Sequence, residues 1–493
     1  MSKTLAVIFL MQIGNLFSQF AFFNEYPTNQ NMIFGGSIEV DNYFISCGVV
    51  QDSNGSTKGV LSFIEKNGEL NKRVFIDNFY LVGFSSIINL NDGIIVAGYT
   101  ADLGLNNYVN YLWKFDYSGT VQWEKPFGNY AITLNDNISP KLLRTQDGFL
   151  AFTSDFGAVK TEAEVVKFDF NGNIEWSRLF SSELNEFSNE MCIDAALCTD
   201  GVILTVLSSY FLQGFNTSSY LLLKIDFFGN EIWRKGVDNI YLGSFDITEN
   251  RNQIHALTSG KNGGFIAVFC SEDEFSKSFH TVVTFFDNDG NLIKAQKILE
   301  NRDVDPYLVT TNQKDELFIM GQDNTDYGTN SFLDLFIAKF NNNFEVIWEN
   351  KYGYNNSNDL WSSGILTNDG GTLVGGSKFR NTSPFGYNHF LVKTDCEGNT
   401  IWDGVFCNSD DFEPIILFPN PTDGLIYIQF NSNQVILDLD VMIYDEYGRE
   451  LESQKAQIDN KITLDLTYLA NGVYLVNFYL NGNKVVKRII VQK

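Results

Sequence analysis

The sequence predicts an all-β protein, namely a seven-bladed β-propeller of four-stranded blades followed by a small C-terminal β-sandwich. One ten-residue phrase, which reads KFDYSGTVQW at 114–123, occurs seven times at intervals of 51 to 61 residues. A second phrase, which reads NDGIIVAG at 91–98, precedes each copy of the first by about two dozen residues. The periodicity stops after Trp402, and the alternating apolar runs that follow it predict the sandwich.

Residues 139–180 show how the repeat predicts one blade. Short runs of apolar and β-branched residues at 141–145, 149–153, 164–170 and 174–180 are separated by Gln-Asp-Gly, polar and Asn-Gly breaks. Runs of this length between such turns are typical of β-hairpins, whose glycine supplies the positive φ of the turn. The unit is therefore predicted to contain four strands, which is the make-up of a propeller blade.

An aromatic or basic residue ends every copy of the first phrase. A large flat ring at this position would fill the wedge-shaped gap between neighbouring blades. We therefore predict blade docking by Trp123, Trp176, Trp233, Trp348 and Trp402, with a purely core position as the alternative. Lysine ends the other two copies, at Lys72 and Lys294.

An aspartate begins the turn within most copies of this phrase. These residues are predicted to cap their own turns, with calcium ligation as the alternative: Asp116, Asp169, Asp226, Asp287 and Asp395. The D-x-x-G-x-x-x-W pattern resembles the tryptophan-docking motif of quinoprotein-type propellers, from which it departs by one residue between Asp and Gly. The resemblance implies the architecture alone, because the sequence has no adjacent cysteine pair to go with a quinone cofactor.

The second phrase places an acidic residue at the same turn position in six repeats. These residues are Asp41, Asp92, Asp147, Asp200, Asp315 and Asp369, and Asn262 occupies the position in the fifth repeat. They are turn-forming residues first. In a closed ring we expect these turns to share one mouth of the central channel with the loops that link blades, where their negative fields would add. The candidate ligand at that mouth is a divalent cation, with calcium as the ion to test, or a cationic group.

The tail after Trp402 carries an ordered series of motifs. They are Phe418, Pro419, Asn420, Pro421 and Gly424, then Ile443, Tyr444, Asp445, Gly448 and Arg449, then Leu469, Gly472, Val473, Tyr474 and Leu475, and finally Lys484, Val485, Val486 and Lys487. In wording and order they resemble the type A C-terminal sorting domain of the type IX secretion system of Bacteroidetes. The resemblance implies an export address that the outer-membrane machinery recognises and that is commonly cleaved. A sandwich that only caps the propeller is the alternative.

The N-terminus carries a second export signal. MSKTLAVIFLMQIGNLFSQ has a lysine, a short apolar stretch and then small or polar residues, which is the layout of a secretory signal peptide. The predicted organisation is a signal peptide at 1–19, the propeller at 20–408, a linker at 409–415 and the sorting domain at 416–493. We expect a secreted or outer-surface protein that reaches its destination through the periplasm.

Composition excludes several classes of protein. A net charge of −26 argues against nucleic acid, whose phosphates require a basic face. No segment approaches the 18 apolar residues of a membrane span. Cys192 and Cys198 lie too far apart along one extended run to form a disulfide, and only Cys396 and Cys407 leave pairing open.

Catalytic motifs are absent from the sequence. The three histidines, His255, His280 and His389, show no metal-binding spacing, and the last two are interpreted as partly exposed strand-end residues. The predicted function is a non-catalytic binding or adhesion module that recognises a polysaccharide or another surface protein. The alternatives are an exported glycan-active hydrolase or lyase with carboxylates at the channel mouth, and a structural component of the cell coat.

Overall fold

The computed structural model describes most of the chain after residue 20. The described residues are 21–28, 30–40, 43–90, 92–102, 108–128, 140–156, 161–181, 189–212, 215–236, 253–260, 263–272, 279–299, 302–312, 314–324, 333–354, 357–380, 386–400, 415–418, 422, 424–430, 439–445, 449–455, 462–480 and 483–493. Some predicted features lie outside them: the signal peptide at 1–19, the linker up to residue 414, Asp41, Asn262, Trp402, Cys407, Pro419, Asn420, Pro421 and Gly448.

Strands between residues 22 and 393 form seven four-stranded antiparallel sheets within the described part of the chain. The first strand, β1 (Phe22–Tyr26), precedes sheet 1. Sheet 1 contains β2 (Asn31–Glu39), β3 (Tyr43–Gln51), β4 (Thr57–Glu65) and β5 (Leu70–Ile76). Sheet 2 contains β6 (Leu81–Leu90), β7 (Gly93–Ala101), β8 (Tyr108–Phe115) and β9 (Val121–Phe127). Sheet 3 contains β10 (Lys141–Arg144), β11 (Gly148–Phe156), β12 (Thr161–Asp169) and β13 (Ile174–Phe180).

The next four sheets continue the same up-and-down order. Sheet 4 contains β14 (Asn189–Cys198), β15 (Gly201–Leu212), β16 (Phe215–Ile225) and β17 (Glu231–Gly236). Sheet 5 contains β18 (Gln253–Ser259), β19 (Phe265–Glu272), β20 (Phe279–Phe286) and β21 (Leu292–Ile298). Sheet 6 contains β22 (Val304–Thr311), β23 (Leu317–Asp323), β24 (Asp334–Phe340) and β25 (Val346–Tyr352). Sheet 7 contains β26 (Asp359–Leu366), β27 (Thr372–Arg380), β28 (Gly386–Lys393) and, at its outer edge, β1.

The hydrophobic core lies between neighbouring sheets. Phe63 of sheet 1 packs with Trp113 of sheet 2, for example, and each following pair of sheets shares a comparable apolar cluster. A last cluster joins Leu391 of sheet 7 to Phe34 of sheet 1, so the contacts return to their starting point. A ring of four-stranded sheets packed face to face in this way is the architecture of a β-propeller.

Sheet 7 is completed by the N-terminal strand. Strand β1 pairs antiparallel with β28, with Phe22 opposite Lys393 and Tyr26 opposite His389. The repeated motif did not predict this pairing, because β1 lies outside its seven copies. The pairing is favoured because β1 presents FFNEY, whose pattern matches the WENKY of β25 at the same position in sheet 6.

The four strands predicted within residues 139–180 are confirmed by β10 to β13. One expectation about the connections is wrong, however. In an up-and-down sheet the first turn lies at one end, and the loop that leads to the next sheet departs from the other. The turn at Asp92 follows the end of β6, whereas the chain enters β6 and leaves β9 at the opposite end of sheet 2. The acidic turns and the linking loops therefore lie at opposite mouths.

The tail forms two further sheets. One contains β29 (Ile415–Phe418), β30 (Leu425–Phe430) and β33 (Ile462–Asp465). The other contains β31 (Leu439–Tyr444), β32 (Glu450–Lys455), β34 (Gly472–Leu480) and β35 (Asn483–Val491). Residues of both sheets, including Ile426 and Val476, share one hydrophobic core.

His389 does not fit its prediction as a partly exposed histidine. Its side chain is fully buried, because its imidazole stacks on Phe34 at 4.6 Å between centroids and lies 5.5 Å from Tyr26. Within the described structure, neither ring nitrogen has a hydrogen-bond partner. Burial, with a smaller contribution from the charge of Arg73, lowers the pKa of His389 to about 3.

The described free cysteines agree with the expectations from the sequence. Cys47, Cys192 and Cys198 are buried free thiols, whereas Cys396 is disulfide-bonded. Over the described residues, no helix has the length and apolar character needed to span a membrane.

Candidate functional site

The tryptophans that end the repeated phrase contact the next sheet. The indole N–H of Trp176 donates to the carbonyl oxygen of Phe227 at 3.2 Å, and that of Trp348 donates to Cys396 at 2.9 Å. Trp233 makes the equivalent bond to Asn288 at 3.2 Å, and the ring of Trp123 packs on Gly172. Each ring lies over the turn glycine of the next phrase, which has a positive φ and no room for a Cβ.

Other residues perform this docking where tryptophan is absent. Phe22 packs on Gly68 of sheet 1, and the Tyr26 hydroxyl donates to the Gly68 carbonyl oxygen at 2.8 Å. Lys72 donates from Nζ to the Ser118 carbonyl oxygen at 2.6 Å. Between sheets 5 and 6 the two roles are exchanged, because the turn of sheet 6 supplies the aromatic ring. Phe344 in that turn has a φ of 67°, and Lys294 Nζ of sheet 5 lies 4.2 Å from the centroid of its ring.

The aspartates of the repeated phrase cap their own turns, as the sequence predicts. Asp169 Oδ1 accepts the backbone N–H groups of Asn171 and Asn173, each at 2.8 Å. Burial alone would raise the pKa of Asp169, but these hydrogen bonds outweigh it and hold the pKa below its usual value. The same bonds occur at Asp116, Asp226, Asp287 and Asp395.

The acidic turns of the second phrase bind a set of lysines that were not predicted as site residues from the sequence. The lysine that opens the first phrase reaches the acidic turn of its own sheet. The pairs are Lys114–Asp92 at 2.6 Å, Lys167–Asp147 at 2.7 Å, Lys224–Asp200 at 2.7 Å, Lys339–Glu316 at 2.7 Å and Lys393–Asp369 at 2.8 Å. The signal was available, since five of the seven copies begin with Lys.

These pairs change the electrostatics expected of the turns. Lys167, Lys224 and Lys393 have side chains only 1% exposed, so each needs its carboxylate partner. Burial would raise the pKa of Asp147, but the hydrogen bond and charge of Lys167 outweigh it and lower that pKa. In sheet 6 Lys339 pairs with Glu316, the residue after Asp315, which the sequence predicted as the acidic residue of that turn. Each carboxylate named in these pairs faces a positive charge, so the pairs contribute little net negative field.

A cavity of about 270 Å³ lies where the first strands of six sheets converge. Apart from Phe152 of β11, its lining comes from β2, β6, β10, β14, β22 and β26, which identifies it as the central channel. In five of these strands, all except β10, a β-bulge interrupts the pairing near the cavity, and two of the bulges lie at Tyr307 and Ser362. A bulge re-aims side chains, and here it accompanies aromatic and hydroxyl groups on the channel wall.

One side of the channel is aromatic. Tyr307 and Trp361 lie 6.4 Å apart between centroids with their ring planes 11° from parallel, and Tyr307 is 40% exposed. Beside them, Ser362 and Ser363 line the cavity. Within the described structure, no protein hydrogen bond reaches the indole N–H of Trp361 or either of these two hydroxyls.

Another part of the lining carries an ion pair. Lys141 Nζ lies 3.5 Å from Asp194 Oδ1, while Asp194 Oδ2 accepts the backbone N–H of Leu257 at 2.8 Å. Asp194 is therefore held by the neighbouring sheet, whereas the Lys141 side chain is half exposed. None of the residues that line the channel was predicted as a site residue from the sequence.

A second group of charged residues lies between sheets 6 and 7, at the end from which the linking loops depart. Asp323 is buried and binds Arg302 at 2.9 Å and Lys351 at 3.0 Å. Asp334 and the fully buried Asp359 both lie against Gly353. Burial, with a smaller contribution from the charge of Asp334, raises the pKa of Asp359 to about 6.

Metal ligation finds no support in the part of the chain that is described. No group of three or more His, Cys, Asp or Glu side chains there has the arrangement to hold a metal ion.

The described sorting-motif residues stabilise turns of the tail. Asp445 accepts the backbone N–H of Arg449 at 2.9 Å and the Arg449 Nε–H at 2.7 Å. Gly424 has a φ of 137° and lies against Thr467, and the Tyr474 hydroxyl donates to the Ala470 carbonyl oxygen at 2.9 Å. Tyr444 ends β31, Gly472 and Val473 begin β34, and Lys484 and Lys487 lie on β35.

Comparison with solved structures returns matches at low identity, one of which is a β-propeller domain. The polysaccharide lyase Uly1 is 9% identical with a TM-score of 0.48, and the match covers 76% of this chain and 99% of the lyase. The β-propeller domain of the Trilobed protease from Pyrococcus furiosus is 11% identical with a TM-score of 0.43, covering 76% and 96%. The α-L-arabinofuranosidase Arb93A from Fusarium graminearum is 12% identical with a TM-score of 0.41, covering 62% and 92%. At this similarity the fold assignment rests on the sheet topology, and no substrate follows.

Comparison with families assigns the tail. No protein with a curated description matches the chain. Residues 416–492 match the family described as "Secretion system C-terminal sorting domain". The protein is therefore a cargo of type IX secretion that is exported to the cell surface or the extracellular space, and its tail is the sorting domain.

Proposed function

We propose that the exported part of this protein is a seven-bladed propeller that binds a ligand in its central channel without transforming it. One observation carries the proposal. The channel presents an aromatic pair and unbonded polar groups, whereas its charged residues, Lys141 and Asp194, already bind each other. Sites of this composition, mostly apolar with a few placed polar groups, are typical of ligand binding. A surface polysaccharide or a surface protein would be the partner.

The route of export completes the proposal. The sorting domain engages the type IX machinery at the outer membrane. We infer that the segment at 1–19 is a signal peptide that first directs the chain into the periplasm. We infer that the acidic turns of sheets 2, 3, 4 and 7 contribute little to ligand capture, because each of them already pairs with a lysine.

The test compares binding with turnover. The mature full-length protein is presented with arrayed glycans and surface-protein fractions, and both retention and product release are measured. Binding without product is expected, and Ser362→Trp, which fills the channel, is expected to abolish it. Retention that Ser362→Trp leaves unchanged, in a variant with the wild-type far-ultraviolet circular dichroism spectrum and melting temperature, would place the site elsewhere.

The second candidate function is a glycan-active enzyme, and the carboxylates beside Gly353 favour it. A carboxyl whose pKa lies near 6 can hold a proton for a leaving group, and Asp359 has a second carboxylate, Asp334, beside it. Asp359 is fully buried, however, which removes it from contact with a polymer in this conformation. Product formation that Asp359→Asn abolishes and Ser362→Trp leaves intact would establish the enzyme and refute the binding module.

A further inference from the structure

We infer that the ligand of the central channel is a neutral saccharide, held through one or two pyranose rings on the Trp361–Tyr307 side. This inference rests on the proposed binding function and specifies its ligand. Trp361 and Tyr307 present nearly parallel rings, and Tyr307 is 40% exposed. The apolar face of a pyranose stacks on such a ring, while a flexible apolar ligand gains nothing particular from the planar geometry.

The polar groups around the rings match the edge of a sugar. The indole N–H of Trp361 is a donor, and the hydroxyls of Ser362 and Ser363 can donate or accept, yet none of them bonds to a described protein group. A sugar hydroxyl has the same dual character. The Asp194 carboxylate is oriented by the Leu257 N–H, so its outer oxygen can accept from a sugar hydroxyl beside Lys141.

Charge decides between neutral and charged ligands. Lys141 and Asp194 cancel each other, so these channel groups offer an anion or a cation no unpaired counter-charge. The chain as a whole carries a net charge of −26, which repels polyanions such as sulfated or uronic-acid polymers. A neutral sugar ring needs no counter-charge and is not repelled by the net charge of the chain.

The size of the channel limits the ligand. A cavity of about 270 Å³ lies just below the 300–1,000 Å³ that is typical of small-molecule sites. We therefore expect the end of a chain, or a short branch, to enter the channel rather than a polymer to pass through it.

Calorimetry on the mature full-length protein tests the inference with three kinds of probe. The first is a set of neutral tetrasaccharides built from glucose, mannose, galactose or xylose. The second is a uronic-acid tetrasaccharide, and the third is spermine. We expect at least one neutral tetrasaccharide to bind, and Trp361→Ala and Tyr307→Ala each to weaken that binding by about tenfold or more. The matched control is Phe228→Ala, which removes an aromatic ring that is 75% exposed on a turn that does not line the channel.

Each outcome has a separate meaning. Binding of spermine or the uronic-acid probe alone, with loss in Trp361→Ala, would overturn the neutral saccharide and preserve the channel as the binding site. Binding of a neutral tetrasaccharide that both channel variants retain would overturn the stacking site. Failure of every probe would overturn the inference, and the glycan and surface-protein arrays with Ser362→Trp then decide the proposed function independently.

Discussion

Replacing His389 by phenylalanine should remove a specific part of the acid sensitivity of the propeller. The imidazole is fully buried against Phe34 and Tyr26, and its pKa of about 3 lies below the unperturbed 6.5. Because the folded pKa is depressed, the unfolded chain binds a proton that the folded chain does not. The contribution to stability is therefore complete above pH 6.5 and is lost as the pH falls from there toward 3.

The magnitude follows from that difference. At pH 5 the protonated form of an exposed histidine, as in the unfolded chain, exceeds the neutral form by about 30-fold. This protonation stabilises the unfolded chain and lowers the free energy of unfolding by about 2 kcal/mol relative to pH 8. Between pH 8 and pH 5, the free energy of unfolding of His389→Phe should fall by about 2 kcal/mol less than that of the wild type. The contribution of Asp359 to stability changes with pH in the opposite direction, since its pKa is raised to about 6. Asp359 is present in both proteins, so its contribution cancels in the comparison.

Urea unfolding of the full chain, followed by tryptophan fluorescence, provides the assay. All seven tryptophans lie at or before position 402, so the signal reports the propeller and not the tail. Phe390→Leu, a buried non-titrating change on the same strand, is the control and should lower stability equally at both pH values. An unchanged pH dependence in His389→Phe would refute the account of a buried neutral imidazole.

Four further predictions concern export, docking, the lysine pairs and calcium. Deletion of 416–493 should leave a folded propeller in the periplasm, as detected by fractionation, and its arrival in the medium would contradict the role of the tail. Trp176→Ala should cost about 2 kcal/mol in a urea titration, less than the 3–5 kcal/mol of a fully buried ring because Trp176 is half-buried, while Lys72→Ala should cost less. Asp369→Ala should cost about 3–5 kcal/mol because it leaves Lys393 buried without its carboxylate, whereas Lys393→Met should cost less; equal losses in thermal melts would argue against the pair. Millimolar calcium should shift neither the melting temperature nor the calorimetric heat, and a saturable heat would reveal a cation site that the paired turns do not explain.

Local sequence was sufficient to predict the repeated sheets. Strand, turn and strand are neighbours in the chain, so the pattern of 139–180 determined β10 to β13 and the capping role of Asp169. Closure of the ring could not be predicted in this way, because its partners Phe22 and Lys393 are separated in the sequence by almost the whole propeller. The similarity of FFNEY to WENKY indicated that β1 would complete a sheet. The FFNEY segment lies outside the seven copies of the phrase that defines the repeat.

The channel residues escaped prediction for a different reason. Tyr307 and Ser362 face the channel at β-bulges, and a bulge shifts the alternation on which a strand pattern is based. The convergence of Lys141, Asp194 and Trp361 depends on the ring, since the three residues come from different sheets. The burial of His389 likewise depends on Phe34 of sheet 1 and Tyr26 of β1.

The closure by β1 also determines how the molecule responds to force. Phe22 lies opposite Lys393, the last residue of β28, so a pull on the two ends of the propeller acts at one end of the β1–β28 pair. Such a load opens an antiparallel pair one hydrogen bond at a time, like a zipper, rather than shearing all its bonds together. A load applied instead between the C-terminal tail and a ligand bound at Trp361 would enter sheet 7 at β28 and leave it at β26. The free end of β1 would then not be a pulling point, so the pair that closes the ring would not be opened from its end.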